Sequence, residues 1–202
     1  MDEPAREPAT DPAPEGPLEG LDDALAADPA LVTAVLEIET HVAEAGWDQP
    51  ARLYALVDTA QLVAAEPALA AAMGLDDASA AGSLTPVEQD QLDPSRSLED
   101  VLASISWPGD VAGCAAVVER LVLPPDADGQ VPDDPAEAER FAREHPDRQE
   151  VRIVAGATRA GSAYCALRLR SHDDPLSVVG GSELVPALLD LLRATLEEED
   201  SP

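Results

Sequence analysis

Two apolar runs, residues 150–159 and 163–171, are separated only by Ala160-Gly161-Ser162. A link this short, with a Gly in it, turns the chain straight back on itself, so the two runs predict a β-hairpin. Any sheet grown around that hairpin is then antiparallel or mixed. A third run, residues 113–123, carries Val117, Val118, Leu121, Val122 and Leu123 before Pro124-Pro125 stops it. Arg52-Leu53-Tyr54-Ala55-Leu56-Val57 alternates, with Leu53, Ala55 and Val57 on one face. At least four strands are therefore expected.

Elsewhere the apolar spacing is helical. Leu25, Leu31, Val32, Val35, Leu36, Ile38 and Val42 share one face of a helical stretch that begins near Leu21 and ends at Gly46. Asp58 or Thr59 can cap a short helix, which Glu66-Pro67 breaks or restarts and Met73-Gly74 closes; residues 76–83 follow as a loop. Thr85-Pro86-Val87-Glu88 has the capping-box pattern and predicts a single helical turn. Ser97 opens a helix through Leu98, Val101, Leu102 and Ile105, ended by Trp107-Pro108. Residues 126–134 read as an acidic loop, and Asp134-Pro135-Ala136-Glu137 opens a helix to about Glu144. The last helix, residues 183–197, should bury Leu184, Leu188, Leu191, Leu192 and Leu196, and the carboxylates at Glu197, Glu198 and Glu199 should fray its negative pole. The closing order of helix, strand, strand, helix gives an α+β fold: an antiparallel or mixed sheet of at least four strands, with helices packed mainly on one face.

Composition sets the boundaries and removes whole classes of function. Residues 1–20 read as a disordered acidic tail, because five prolines stand within the first 17 residues and there is little to bury against the entropy of ordering. Residues 21–197 form a single α+β domain in this reading, and 198–202 a disordered acidic C-terminus. The chain holds 41 acidic residues against 12 basic ones, a formal charge of -29, and every basic residue is Arg. Phosphate backbones and anionic membranes would be repelled over most of such a surface, so neither is an expected partner. The all-Arg pattern, beside abundant Ala, Asp, Glu and Pro, reads as the codon bias of a GC-rich genome. No apolar run reaches the ~18 to 20 residues that a bilayer-spanning helix needs; the best stretch, 101–118, is broken by Trp107-Pro108 and Asp110. The first 28 residues, with nine carboxylates and Arg6, show neither the basic nor the apolar region of a signal peptide, and a cytoplasmic location is expected. Cys114 and Cys165 lie in apolar strand segments and read as reduced core thiols, a disulfide between them being the less favoured alternative.

Four of the arginines on the predicted strands form a candidate group: Arg120, Arg152, Arg168 and Arg170. Period two puts Arg168 and Arg170 on one face, and a suitable hairpin register would bring Arg152 to it. Clustered guanidinium groups could grip a carboxylate, a phosphate or an acidic partner segment. The competing reading is a sheet face whose arginines pair with local acids such as Glu119 and Glu150. Ser171-His172-Asp173-Asp174 collects a hydroxyl, an imidazole and carboxylates at the hairpin exit, yet sequence neighbours do not generally adopt triad geometry. With His41 and His145 the only other histidines, no metal site is expected, and no catalytic residue or cofactor is assigned. Gly156 and Gly161 have the glycine spacing of a phosphate loop, but Ser162 stands where its Lys would be, and two strands flank the segment.

Trp47-Asp48-Gln49-Pro50-Ala51-Arg52-Leu53, Val118-Glu119-Arg120, Glu150-Val151-Arg152 and Cys165-Ala166-Leu167-Arg168-Leu169-Arg170-Ser171-His172-Asp173 occur as ordered segments. Together they resemble a family of uncharacterised actinobacterial proteins, from about Leu31 to Leu196. The resemblance implies a cytoplasmic protein and carries over no functional residue. The expected function is a non-enzymatic protein-binding or chaperone-like module, contacting a partner protein through the sheet face of Arg152, Arg168 and Arg170, with a homodimer also possible. The alternative is a binder of, or an enzyme acting on, a small anionic metabolite in an Arg-lined pocket near Ser171 to Asp174, with His172 and Asp173 among its candidate residues.

Overall fold

The computed structural model describes residues 28–75, 80–132 and 134–197. The expected tails, the helix entry at Leu21 and Leu25, and part of the loop 76–83 lie outside them. In chain order the elements are α1 (Pro29–Glu44), β1 (Arg52–Asp58), α2 (Thr59–Ala65), α3 (Pro67–Ala72), β2 (Leu84–Glu88), α4 (Leu98–Leu102), β3 (Gly113–Val122), α5 (Pro135–Glu144), β4 (Gln149–Thr158), β5 (Ala163–Leu169), β6 (Val179–Gly181) and α6 (Pro186–Leu196). The six strands form one sheet in the order β2-β1-β3-β4-β5-β6, and every neighbouring pair is antiparallel. The α+β class and the central hairpin are as the sequence predicts. Gly161, at φ 91°, supplies the left-handed residue that the three-residue link needs.

Helices cover both faces of this sheet, which corrects the expectation of a mainly one-sided arrangement. On one face α1 buries Leu31, Ala34, Val35, Ile38 and Val42 against Tyr54, Leu56, Ala115, Val117, Val154 and Ala166. On the other, Leu188, Leu189, Leu192 and Leu196 of α6, with Leu98, Val101 and Leu102 of α4, cover Leu53, Cys114, Ala116, Val118, Ile153, Ala155 and Cys165. The reason lies in the strands. The first six residues of β3 and the last eight of β4 are buried on both faces, so leaving either face open would expose apolar surface worth about 25 cal/mol per Å². The helix-to-sheet approach is close enough over β4 that a Cβ on Gly156 would stand 2.8 Å from Val35 and 3.0 Å from Leu31.

Two edge strands depart from the sequence reading. Thr85-Pro86-Val87-Glu88 is not a helical turn but most of β2, paired with β1 from Leu84↔Asp58 to Glu88↔Tyr54. Tertiary context overrides the capping pattern here. Thr85 is buried with its hydroxyl 2.9 Å from that of Thr59, and Pro86 is tolerated because an edge strand has a side without partners. At the opposite edge β6 has only three residues, too few for an alternation signal. Gly180 of β6 lies beneath the Tyr164 ring: a Cβ there would fall 2.0 Å from the phenolic oxygen. We predict that Gly180→Ala lowers stability by about 1 to 3 kcal/mol by forcing that ring aside. Urea unfolding checks this, and an unchanged midpoint would mean that the ring moves freely.

Candidate functional site

Three of the four candidate arginines, Arg152, Arg168 and Arg170, converge at one end of the sheet. Register places Arg152 of β4 directly opposite Glu119 of β3 on one side and Arg168 of β5 on the other. Two like charges side by side on neighbouring strands repel, so each requires a carboxylate of its own. Arg152 takes Glu119: its Nε and Nη2 donate to Oε1 at 3.2 and 2.9 Å. Arg168 takes Glu39 of α1 in a two-pronged pair, Nε to Oε1 at 2.6 Å and Nη2 to Oε2 at 2.7 Å. Glu39 and Arg168 are 2% and 4% exposed and Arg152 is 0% exposed, so these are interior charges, held by partners of fixed geometry. The Glu39 hydrogen bonds come first among the influences raising the Arg168 pKa, with desolvation opposing them.

The turn after α1 closes the cluster from outside. Gly46, at φ 80°, ends the helix in the left-handed conformation, and its carbonyl accepts from Arg152 Nη2. Trp47 follows, with the Arg152 guanidinium 4.4 Å from its ring centroid and that of Arg170 at 5.6 Å. Its indole N–H donates to Asp173 Oδ2 at 2.9 Å. Asp48 also has a positive φ, 66°, a conformation Asp tolerates better than most residues. Its N–H donates to Glu119 Oε2 at 2.7 Å. Its carboxylate accepts two bonds from Arg170, at 2.9 and 3.0 Å, and those bonds are the main cause holding its pKa below the ordinary carboxylate range. Arg170 also bonds Glu150.

Of the residues singled out in the sequence, the structure brings Arg152, Arg168, Arg170 and Asp173 together. Arg170 arrives by a different route from the one expected, since β5 ends at Leu169 and residues 170–172 form a 3-10 turn. Arg120 lies apart on the opposite face and pairs with Glu99 of α4. His172 is exposed, its Nδ1 3.0 Å from Ser171 Oγ, while Asp173 directs its oxygens to Trp47 and, at 3.4 Å, to Arg168. Among the described residues no group of three His, Cys, Asp or Glu side chains is placed to hold a metal ion. Sequence reading missed Glu39. Its signal was an acid at the i+4 position from Val35, inside the apolar stripe of α1, where a charge is unexpected without a buried partner. It also missed Arg159, whose guanidinium donates to the carbonyls of Val111, Trp107 and Pro108 at 2.9 Å each and to that of Leu196 at the end of α6.

An antiparallel sheet between two helical layers, locked at one end by paired charges, defines an α+β protein with an internal arginine cluster. The chain belongs to the PPA1309-like protein family, an uncharacterised family whose sequence profile matches residues 31–197. No curated protein and no solved structure matches the chain.

Proposed function

We propose that this protein is a non-enzymatic binding module, chaperone-like and cytoplasmic, that holds an extended segment of a partner protein along the free edge of β6. The observation that carries the reading is the edge itself. Among the described residues β6 has β5 on one side and no strand on the other, and Leu176, Val179 and Leu184 around it are 95%, 58% and 42% exposed. An edge strand offers unpaired backbone donors and acceptors, and apolar side chains beside it supply affinity for an added strand. Asp174 and Glu183 are exposed in the same stretch, and the chain carries a formal charge of -29, so the fitting segment is apolar with basic flanks. The actinobacterial origin implied by the family resemblance belongs to this reading as well. The metabolite alternative has less support, because the clustered guanidinium groups already face Glu39, Glu119, Asp48, Glu150 and Asp173, and an anion would have to displace one of them. No helix among the described residues is long and apolar enough to cross a membrane.

The test is crosslinking of the tagged protein in its native cytoplasm, followed by the same capture with Val179→Pro, which removes one backbone donor and disrupts the short strand, and with Leu176→Asp. A partner lost from both variants but kept by Arg170→Ala, with β6 amides that gain hydrogen-exchange protection in the complex, is expected. A partner kept by both edge variants would overturn the reading. So would light scattering that shows a dimer of this chain dissolved by Val179→Pro, since a second copy would then be the occupant.

A further inference from the structure

Between Asp58 and Asp76 the sequence holds one charged residue, Glu66, in a chain of which 26% is charged. That stretch folds into α2 and α3, which follow β1 at the end of the sheet away from the arginine cluster. α3 stands clear of the core: Pro67, Ala68, Leu69, Ala71 and Ala72 are exposed, and Ala70 is its buried residue. Leu69 and Met73, one helical turn apart, are 50% and 45% exposed. A helix that is apolar on every side normally lies in an interior, and one of six residues has too little stability of its own to stand in water. The surface it offers needs a cover. We infer that α2 and α3 form the contact surface of a reversible homodimer, each copy laying its α3 on that of a second copy about a twofold axis.

Charge selects a second copy as the cover. Two bodies of formal charge -29 repel wherever their acidic surfaces meet, so a self-contact must use surface without charge, and this stretch supplies it. A basic partner, which the acidic surface attracts elsewhere, finds no carboxylate within the stretch beyond Glu66. Side-chain sizes agree with a self-contact. Leu69 and Met73 make one i, i+4 row of α3 and its C-cap, and Ala68 and Ala72 make the next, so the large row of each copy can seat against the small row of the other. Met adapts to the relief it meets. A standard interface uses about 20 to 30 residues a side, more than the 7 and 6 residues of these two helices, so the dimer should come apart on dilution.

Sedimentation velocity of the full chain over a concentration series, at about 50 and about 500 mM sodium chloride, tests this. We expect a monomer–dimer equilibrium that tightens about tenfold at the higher salt, because screening removes the repulsion between the acidic bodies. A contact built on ion pairs would weaken instead. Leu69→Glu and Leu69→Arg should each leave the chain monomeric, since both place like charges across the twofold. Mixing the two variants should restore a dimer, which requires that the substituted patches face each other. Both changes fall on an exposed side chain, so the urea midpoint measured on dilute monomer should match that of the parent. Val179→Pro should leave the dimer intact, which separates this result from the one at β6. A parent chain that stays monomeric at both salts, a dimer that survives Leu69→Glu or is dissolved by Val179→Pro, or a mixture of the two Leu69 variants that stays monomeric would each overturn the inference. So would a monomeric parent that captures another protein and loses it with Leu69→Glu, because that protein would then be the cover.

Discussion

Replacing Arg168 with Met will lower the folding stability by about 3 to 5 kcal/mol, the usual cost of stranding a buried charge. Glu39, 2% exposed on the inner face of α1, would lose both hydrogen bonds from Arg168 and face Leu- and Val-rich packing. The double variant Glu39→Leu/Arg168→Met should recover most of that loss, since an apolar pair of similar volume often replaces a buried ion pair without cost. Arg152 would keep Glu119 in both variants, so the effect belongs to the partners of Arg168, the buried Glu39 first and the half-exposed Asp173 at 3.4 Å second. Urea unfolding followed by tryptophan fluorescence reads the result; of the two tryptophans, Trp47 lies against Arg152 and reports on this end of the sheet. A loss in Arg168→Met below about 1 kcal/mol would show that water reaches the pair and that it behaves as a surface bridge. A double variant as unstable as the single would show that the charges also fix how α1 seats on β4 and β5.

The outcome matters for the binding proposal, because a charge cluster that serves the interior is not available to a partner. Sequence reading left both possibilities open, and the physical reason is register. Period two put Arg152 and Arg168 on strands, and Glu119 and Glu150 were visible as local acids. What decides between a gripping surface and an internal network is the carboxylate that arrives from α1, and Glu39 stands 129 residues from Arg168. No local pattern reports a contact of that range. The hairpin was legible because its turn, its alternation and its length all act locally, as were the Ser97 and Asp134 caps, whose side chains accept from Asp100 N and from Ala136 N and Glu137 N. β2 and β6 were not legible for the same reason in reverse. A five-residue edge strand with a Pro and a three-residue strand with two glycines exist only because β1 and β5 offer them a ladder. The two-sided helical cover was implicit in β3, whose neighbours Cys114 and Ala115 are both apolar, but unbroken apolar runs read equally as a single buried strand.

The stability of the whole sheet should fall as pH rises from about 9 to about 11, by up to about 5 kcal/mol from the two thiols together. Cys114 on β3 and Cys165 on β5 are both free and buried, packed in the layer beneath α6. Burial is the first cause that pushes each to about 11, against hydrogen bonds that pull the other way, from Thr195 at Cys114 and from the Val185 backbone at Cys165. Below an ordinary thiol pKa of about 9 both states are protonated and pH has no effect through these groups. Above it the unfolded chain sheds protons that the folded chain keeps, so the unfolded state binds fewer protons and stability declines until the folded thiols ionise in turn. Each thiol pushed up to about 11 contributes about 2.7 kcal/mol at most. Tyr54, also held above its ordinary range, adds to the decline at the upper end, so the thiol share must be isolated by difference. Cys114→Ala/Cys165→Ala should flatten the curve of urea stability against pH between 9 and 11 relative to the parent chain. The same burial predicts that at neutral pH both thiols react with iodoacetamide only as fast as the sheet opens. Parallel pH curves for parent and variant, or rapid labelling of the native chain, would mean that the α6 layer admits water to β3 and β5. In that case the two-layered cover that fixes the ends of the sheet would be looser on the α6 side than on the α1 side.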